Sequence, residues 1–466
     1  MTDSWAAFGA DLHIEPVGSG LRSGLMGALR EAVRTGRLAP GTRLPSSRTL
    51  AVDLGIARNT VADAYAELVA EGWLTARQGS GTRVAQRAGA AGPKALRGPA
   101  RQVRRRPTHS LMPGSPDLSA FPRAEWLRAS RRALTAAPDR AFGYDDPQGR
   151  IELRTVLAGY LARARGVYAD PERIVICSGF VHGLGLIGKV LRQRGVREAA
   201  VESRGLDIHR NLLTAAGLAT PCVAVDEHGA ETGELGSMRR VGAALLTPAH
   251  QFPTGVPLHP DRRAAAVDWA RSTGGLVLED DYDGEFRYDR QPVGALQGLD
   301  PERVAYLGTA SKSLAPGLRL AWMVLPGEWV GEVCAAKGGP EWMTGATDQL
   351  TLAEFIASGA YDRHVRAMRL RYRRRRDQLV ETLAERAPDF RVSGIAAGLH
   401  AVLELPEGTE QSVVQAANWQ GLALEGLSRF RHPDTGPGRD GLVIGYGTPS
   451  ESGWAGALDA LCRVLP

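Results

Sequence analysis

Lysine is nearly missing from this chain. Of its 57 basic residues only Lys94, Lys189, Lys312 and Lys337 are lysines, so each primary amine stands out against an arginine background. Cysteine is scarce too. Cys177, Cys222, Cys334 and Cys462 are scattered without paired ligand spacing, which argues against both a disulfide framework and a zinc site; no metal is expected. No apolar stretch approaches membrane-spanning length, and Met1 to Asp11 lack the basic-then-apolar pattern of a leader, so no membrane partner and a cytoplasmic location are expected. What remains is the composition of a soluble globular protein, 466 residues with 43% hydrophobic and 23% charged, long enough for two or three domains. Its charge is uneven. Residues 1–107 carry 16 basic side chains against 8 acidic ones, whereas the remainder carries 41 against 43. The basic excess lies at the front, where it points to nucleic acid.

The front is compactly patterned. Leu25, Leu29 and Val33 space an apolar stripe for a first helix that stops near Gly36. A second starts at Leu44-Pro45-Ser46-Ser47-Arg48-Thr49, where either serine can cap it or meet a phosphate. Gly55 makes a turn, and Arg58-Asn59-Thr60-Val61 opens a third helix. Gly72-Trp73-Leu74-Thr75, a turn at Gln78-Gly79-Ser80-Gly81 and Thr82-Arg83-Val84 read as a two-stranded wing. These motifs, in this order, resemble the GntR-type winged helix-turn-helix. The resemblance implies a double-stranded DNA operator, with Arg58 reading a base edge and Asn59 beside it. It also implies phosphate contacts from Ser46, Ser47, Arg48 and Thr60, and a minor-groove probe at Gln78 and Gly79. One departure stands at Ala57, where relatives carry a capping hydroxyl. The domain is assigned to residues 12–85, followed by an Ala/Gly/Pro/Arg tether over 86–107.

From residue 108 to 466 apolar runs alternate with helical patterns, as in a mostly parallel α/β sheet. The runs end in polar or glycine-bearing loops: Cys177 before Ser178-Gly179, Glu202 before Ser203-Arg204-Gly205, Thr247 before Pro248, Leu278 before Glu279-Asp280-Asp281-Tyr282. Another apolar run precedes Gly308-Thr309-Ala310-Ser311-Lys312-Ser313, with Gly317 and Arg319 beyond. Ligands of open α/β sheets gather at the carboxyl ends of the strands. A desolvated lysine, a carboxylate at the mouth of a neighbouring strand and a hydroxyl-rich cradle with an arginine suit pyridoxal phosphate.

With Gly114-Ser115-Pro116-Asp117, Tyr144-Asp145-Asp146-Pro147-Gln148-Gly149 and Glu279 to Arg287, this region resembles a fold-type I aminotransferase. Behind a GntR-type winged helix it makes the whole chain similar to MocR-type transcriptional regulators, a family that includes regulators of vitamin B6 synthesis. The resemblance implies pyridoxal phosphate as cofactor, with Lys312 as Schiff-base lysine and Asp280 on the ring nitrogen. Tyr282 would meet the ring oxygen, and Thr309, Ser311 and Arg319 the phosphate, with Ser178 and Gly179 at a helix N-terminus. It further implies a homodimer in which Tyr144 reaches the partner's phosphate, and repeated half-sites in the operator.

Several positions depart from an ordinary transaminase. Phe180 and Val181 stand where relatives place a hydroxyl or amide, Leu206 where an aromatic residue stacks on the ring, and Phe252 where transaminases carry asparagine. Val443 replaces the arginine that anchors the substrate carboxylate, a contact no valine supplies, although Arg431 or Arg439 lies near in sequence. The cofactor-holding residues are kept while the substrate-holding one is gone. This favours a regulator that senses the cofactor or an amine over two alternatives, a working aminotransferase that binds DNA and a regulator with a cofactor-free dimerisation domain.

Overall fold

The computed structural model describes residues 20–77, 81–86, 107–288 and 294–465. One compact unit holds the described residues up to 86 and a second those from 107 onward.

In the first unit, α1 (Leu21–Arg34), α2 (Ser47–Leu54) and α3 (Arg58–Ala70) enclose Leu25, Leu29, Val33, Leu50, Val61 and Leu68. The α1 stripe is buried at the spacing of one helix face. Ser46 caps α2 by accepting a 3.1 Å hydrogen bond from the Thr49 amide. Gly55 ends it at φ 65°, a left-handed conformation that suits glycine. Strands β1 (Leu74–Arg77) and β2 (Gly81–Val84) pair antiparallel, Leu74 opposite Val84, as the wing. The minor-groove assignment to Gln78 and Gly79 lies outside the described residues, as does the tether between 87 and 106.

The second unit is built on a seven-stranded sheet. Its strands are β3 (Ile174–Cys177), β4 (Glu198–Glu202), β5 (Cys222–Val223), β6 (Val241–Leu246), β7 (Leu276–Asp280), β8 (Val304–Thr309) and β9 (Ala321–Val324). They lie in the order β3-β9-β8-β7-β6-β4-β5, and β9 alone runs antiparallel to both neighbours. The strands are apolar without alternation because both faces are covered. Leu276 and Leu278 face the core beneath α4 (Phe180–Gln193), while Val277 packs with Trp269 and Ala270 of α6 (Pro260–Thr273) on the other side. Between them in sequence, α5 (Asp207–Ala215) follows β4.

A strand that runs against its neighbours begins at the edge where they end. The loop entering β9 therefore delivers Arg319 to the edge where β7 ends in Asp280 and β8 in Thr309. A long helix, α7 (Ala360–Arg386), leads to an antiparallel sheet of β10 (Val392–Ser393), β11 (Ala401–Glu404), β12 (Glu425–Gly426) and β13 (Gly441–Ile444). Their order is β10-β11-β13-β12, and α8 (Trp454–Val464) covers them. Among the described residues no helix is long and apolar enough to cross a membrane.

Candidate functional site

On the winged helix, the arginines divide into two sets. Arg22 pairs with Glu67 at 3.5 Å and Arg34 with Glu31 at 2.8 Å, and Arg30 pairs with Glu71. Arg48 and Arg58 are exposed and make neither a hydrogen bond nor an ion pair among the described residues. Arg58 is the first residue of α3, with Asn59 exposed beside it and Thr60 half-buried. Ser46 spends its hydroxyl on the cap and on Thr49 Oγ1, at 2.7 Å, leaving Ser47 as the uncommitted serine of the pair. Ala57 occupies the N-cap of α3 in extended conformation and offers no side-chain hydrogen bond.

In the second unit, the strand ends enclose a cavity of about 450 Å³ lined by Asp280, Tyr282, Thr309, Ser311, Lys312 and Arg319, among others. Burial lowers the Lys312 pKa, against the pull of the Asp280 and Asp283 carboxylates, and its Nζ donates to the Gly114 carbonyl at 2.5 Å. Burial raises the Asp280 pKa well above the carboxylate range; the Lys312 charge opposes it and the acidic neighbours add to it. Asp280 Oδ1 is buried without a hydrogen-bond donor among the described residues. Thr309 Oγ1 accepts from the Ser311 amide at 3.1 Å, and the two hydroxyls lie 2.8 Å apart. Arg319 Nη2 donates to the Ser178 carbonyl at 2.6 Å. Gly179, at φ 93°, is where α4 begins, and a Cβ there would fall 2.3 Å from Arg319 Nη2.

These residues fit pyridoxal phosphate. An orphaned buried carboxylate oxygen suits a ring N–H donor, and a helix N-terminus with hydroxyls and an arginine suits a phosphate. The Lys312 amine would supply the covalent anchor, and the cofactor, when bound, would supply an electron sink. Tyr144 stands apart: it is 78% exposed and does not line this chain's own cavity.

The departures read from the sequence find physical settings here. Leu206 packs on an apolar cluster of Phe252, Val402, Leu427, Phe430 and Val443, in which Val443 is fully buried. Phe252 and Phe430 meet edge to face at 4.9 Å. Three groups escaped the sequence reading. His209, on the first turn of α5, stacks obliquely on Phe180 at 4.6 Å and holds Nδ1 4.0 Å from Asp280 Oδ2. His250 Nδ1 lies 2.9 Å from Asp283 Oδ2 and 3.1 Å from the Tyr282 hydroxyl, while His400 packs on the His250 ring at 5.0 Å. Ligand-type atoms of His250, Asp283 and His400 lie within 4.8 Å of one another, an arrangement that hydrogen bonding already occupies in part. Arg204 lines the cavity without any side-chain partner among the described residues.

Fold and cavity together define an aminotransferase-like domain in a chain that also carries a winged helix. Residues 21–84 match the family of bacterial regulatory proteins of the gntR type, and residues 114–431 match aminotransferase class I and II, whose members use pyridoxal phosphate. The HTH-type pyridoxine biosynthesis transcriptional regulator PdxR of Corynebacterium glutamicum is 34% identical over 426 residues, 91% of each chain. The probable rhizopine catabolism regulatory protein MocR of Rhizobium meliloti is 30% identical, over 90% of this chain and 88% of the relative. An archaeal alanine:glyoxylate aminotransferase shares the fold of the second unit at TM-score 0.69 and 24% identity, over 76% of this chain and 90% of its own. The chain belongs to the MocR-type transcriptional regulators, in which a GntR-family DNA-binding domain is fused to an aminotransferase-like domain.

Proposed function

We propose that this regulator carries pyridoxal phosphate on Lys312 and uses its occupancy, or an amine that reacts with it, to control DNA binding. The observation that carries this reading is the pairing of a buried, donorless Asp280 Oδ1 with a desolvated Lys312 in one cavity. Asp280 holds the ring nitrogen, Tyr282 the ring oxygen, and Thr309, Ser311, Arg319, Ser178 and Gly179 the phosphate. The exposed Tyr144 serves the cavity of a second copy in a homodimer. On DNA, Arg58 reads a base edge with Asn59 beside it, while Ser47, Arg48 and Thr60 hold phosphates, on two repeated half-sites. The domains divide as 12–85, 86–107 and 108–466, in the cytoplasm.

Titrating the purified protein with pyridoxal phosphate is expected to produce a visible absorbance band that Lys312→Ala abolishes. No band on titration defeats the cofactor reading. A second reading, a working aminotransferase, draws on the retention of Lys312, Asp280 and Tyr282 at one site. It requires release of a keto acid from an amino acid at more than one equivalent per subunit.

A further inference from the structure

Behind the Tyr282 hydroxyl lies a buried pair of side chains that the proposed cofactor contacts leave unused. His250 stands in the loop after β6, and Asp283 lies three residues beyond the end of β7. Both are buried, and His250 Nδ1 reaches Asp283 Oδ2 at 2.9 Å and the Tyr282 hydroxyl at 3.1 Å. A carboxylate accepts and does not donate, so the shorter contact places the proton on Nδ1. The Tyr282 oxygen then meets that N–H with a lone pair, and its own proton is left to point away from His250. Tyr282 lines the cavity, which is where that proton can be given. Burial, and then the Asp283 and Asp280 charges, hold the Tyr282 pKa well above its ordinary value, so the hydroxyl keeps the proton it offers.

The surroundings of the pair agree with this placement. His250 Nε2 is buried without a partner among the described residues, so a proton on Nδ1 leaves a bare lone pair there rather than an unmet N–H. His400 packs on the His250 ring at 5.0 Å and stays neutral: burial, and then the His250 charge, bring its pKa to about 3, and its Nε2 donates to the Pro253 carbonyl at 3.1 Å. Gly398, at φ 71°, leaves the room, since a Cβ there would fall 2.5 Å from both Asp283 Oδ2 and His250 Nδ1. We propose that His250 and Asp283 are positioning residues that fix the Tyr282 hydroxyl as a donor into the cavity, toward the ring oxygen of the cofactor. The inference rests on the reading of Tyr282 as the partner of that oxygen. A donor there stabilises negative charge on the ring oxygen and so lowers the proton affinity of the bound chromophore.

The test follows the visible band of the full chain with pyridoxal phosphate as pH is varied. Tyr282→Phe is expected to raise the midpoint of the band's titration by about one pH unit, a tenfold gain in proton affinity. His250→Phe leaves Tyr282 to donate to Asp283 instead, and is expected to reproduce most of that rise with Tyr282 still present. Asp283→Asn frees Nδ1 to take the Tyr282 proton, and is expected to raise the midpoint against the fall that loss of a negative charge alone would give. Either change added to Tyr282→Phe should contribute little more. His250→Asn, which keeps an N–H near the place of Nδ1, is expected to stay near the native midpoint. The cofactor-free chain gives a second readout, a downfield imidazole proton resonance that Asp283→Asn abolishes and Tyr282→Phe leaves in place. Native midpoints in both His250→Phe and Asp283→Asn overturn the proposal. So does absence of the downfield resonance, or a stoichiometric zinc ion bound through His250, which would take Nδ1 as a ligand. No visible band in native protein, with the resonance present, would strike the cofactor reading and leave the His250–Asp283 bond standing.

Discussion

Gly179 and Arg319 compete for one volume: a Cβ on residue 179 would sit 2.3 Å from Nη2 and 2.6 Å from Cζ of the arginine. The glycine also holds φ 93°, where a side chain is strained in any case, and Arg319 is the one described non-glycine residue at positive φ, 53°. Two backbone exceptions therefore meet at the start of α4. Gly179→Ala is expected to displace the guanidinium and weaken pyridoxal phosphate binding at least roughly tenfold, about 1.4 kcal/mol. Titration of the visible band checks this, with the thermal unfolding midpoint of the cofactor-free protein as the control for folding. Unchanged cofactor affinity would remove Arg319 from the phosphate cradle.

His209 is expected to make the protein acid-sensitive. Burial, and then the Lys312 charge, hold its pKa near 4 against an ordinary value of 6.5. The folded state thus keeps the imidazole neutral while the unfolded chain takes a proton as pH falls below 6.5. The stability tied to neutral His209 is complete above that value and is lost progressively as pH falls to about 4. His209→Asn should lose less stability than native protein over that window. Parallel pH profiles of the two unfolding midpoints would refute the assignment.

Local pattern was legible and distant contact was not. The α1 stripe, the Gly55 turn and the runs ending in Asp280 and Thr309 depend on neighbours in sequence, so periodicity and end signals revealed them. The reversal of β9 was not readable, because Ala321-Trp322-Met323-Val324 is apolar in either direction. Yet that reversal brings Arg319 to the site. His250 and Asp283 meet across 33 residues, and the Arg204 and Arg431 backbones pair in an isolated antiparallel bridge. No spacing rule predicts such pairs. The weight given to Val443 as a vacant anchor also changes: the valine is a packed member of an apolar cluster.

Ala57 leaves the N-terminus of α3 without a side-chain acceptor, and its backbone at φ −64°, ψ 137° is already that of an N-cap. Ala57→Ser is expected to stabilise the winged helix by about 1 kcal/mol. It should also tighten binding to all DNA sequences alike, since a hydroxyl at this end meets phosphate rather than bases. Arg58→Ala, in contrast, should relax base preference and cost about 1–3 kcal/mol at one position of each half-site. Unfolding midpoints and a binding series on base-substituted operators separate the two effects. A serine that sharpened base preference would contradict the division of labour along this helix.

Transamination requires the amino acid's carboxylate to be fixed so that the Cα–H bond is aligned for cleavage, and lost orientation can cost several kcal/mol of the barrier. Native protein is therefore expected to release no more than one equivalent of keto acid per subunit from common amino acids. Restoring arginine by Val443→Arg is not expected to rescue turnover. Residue 443 is fully buried on β13 between Val402 and Glu425, with Phe252 and Phe430 in its cluster. A guanidinium placed there would have to be desolvated among apolar side chains, with only the half-buried Glu425 on the neighbouring strand to meet it, at a cost on the order of 3 kcal/mol. The variant should unfold earlier and bind amino acids no better than native protein. Steady release of keto acid by native protein would promote the enzyme reading. A stable Val443→Arg variant with stronger amino-acid binding would instead show that this wall can be turned back into a substrate anchor.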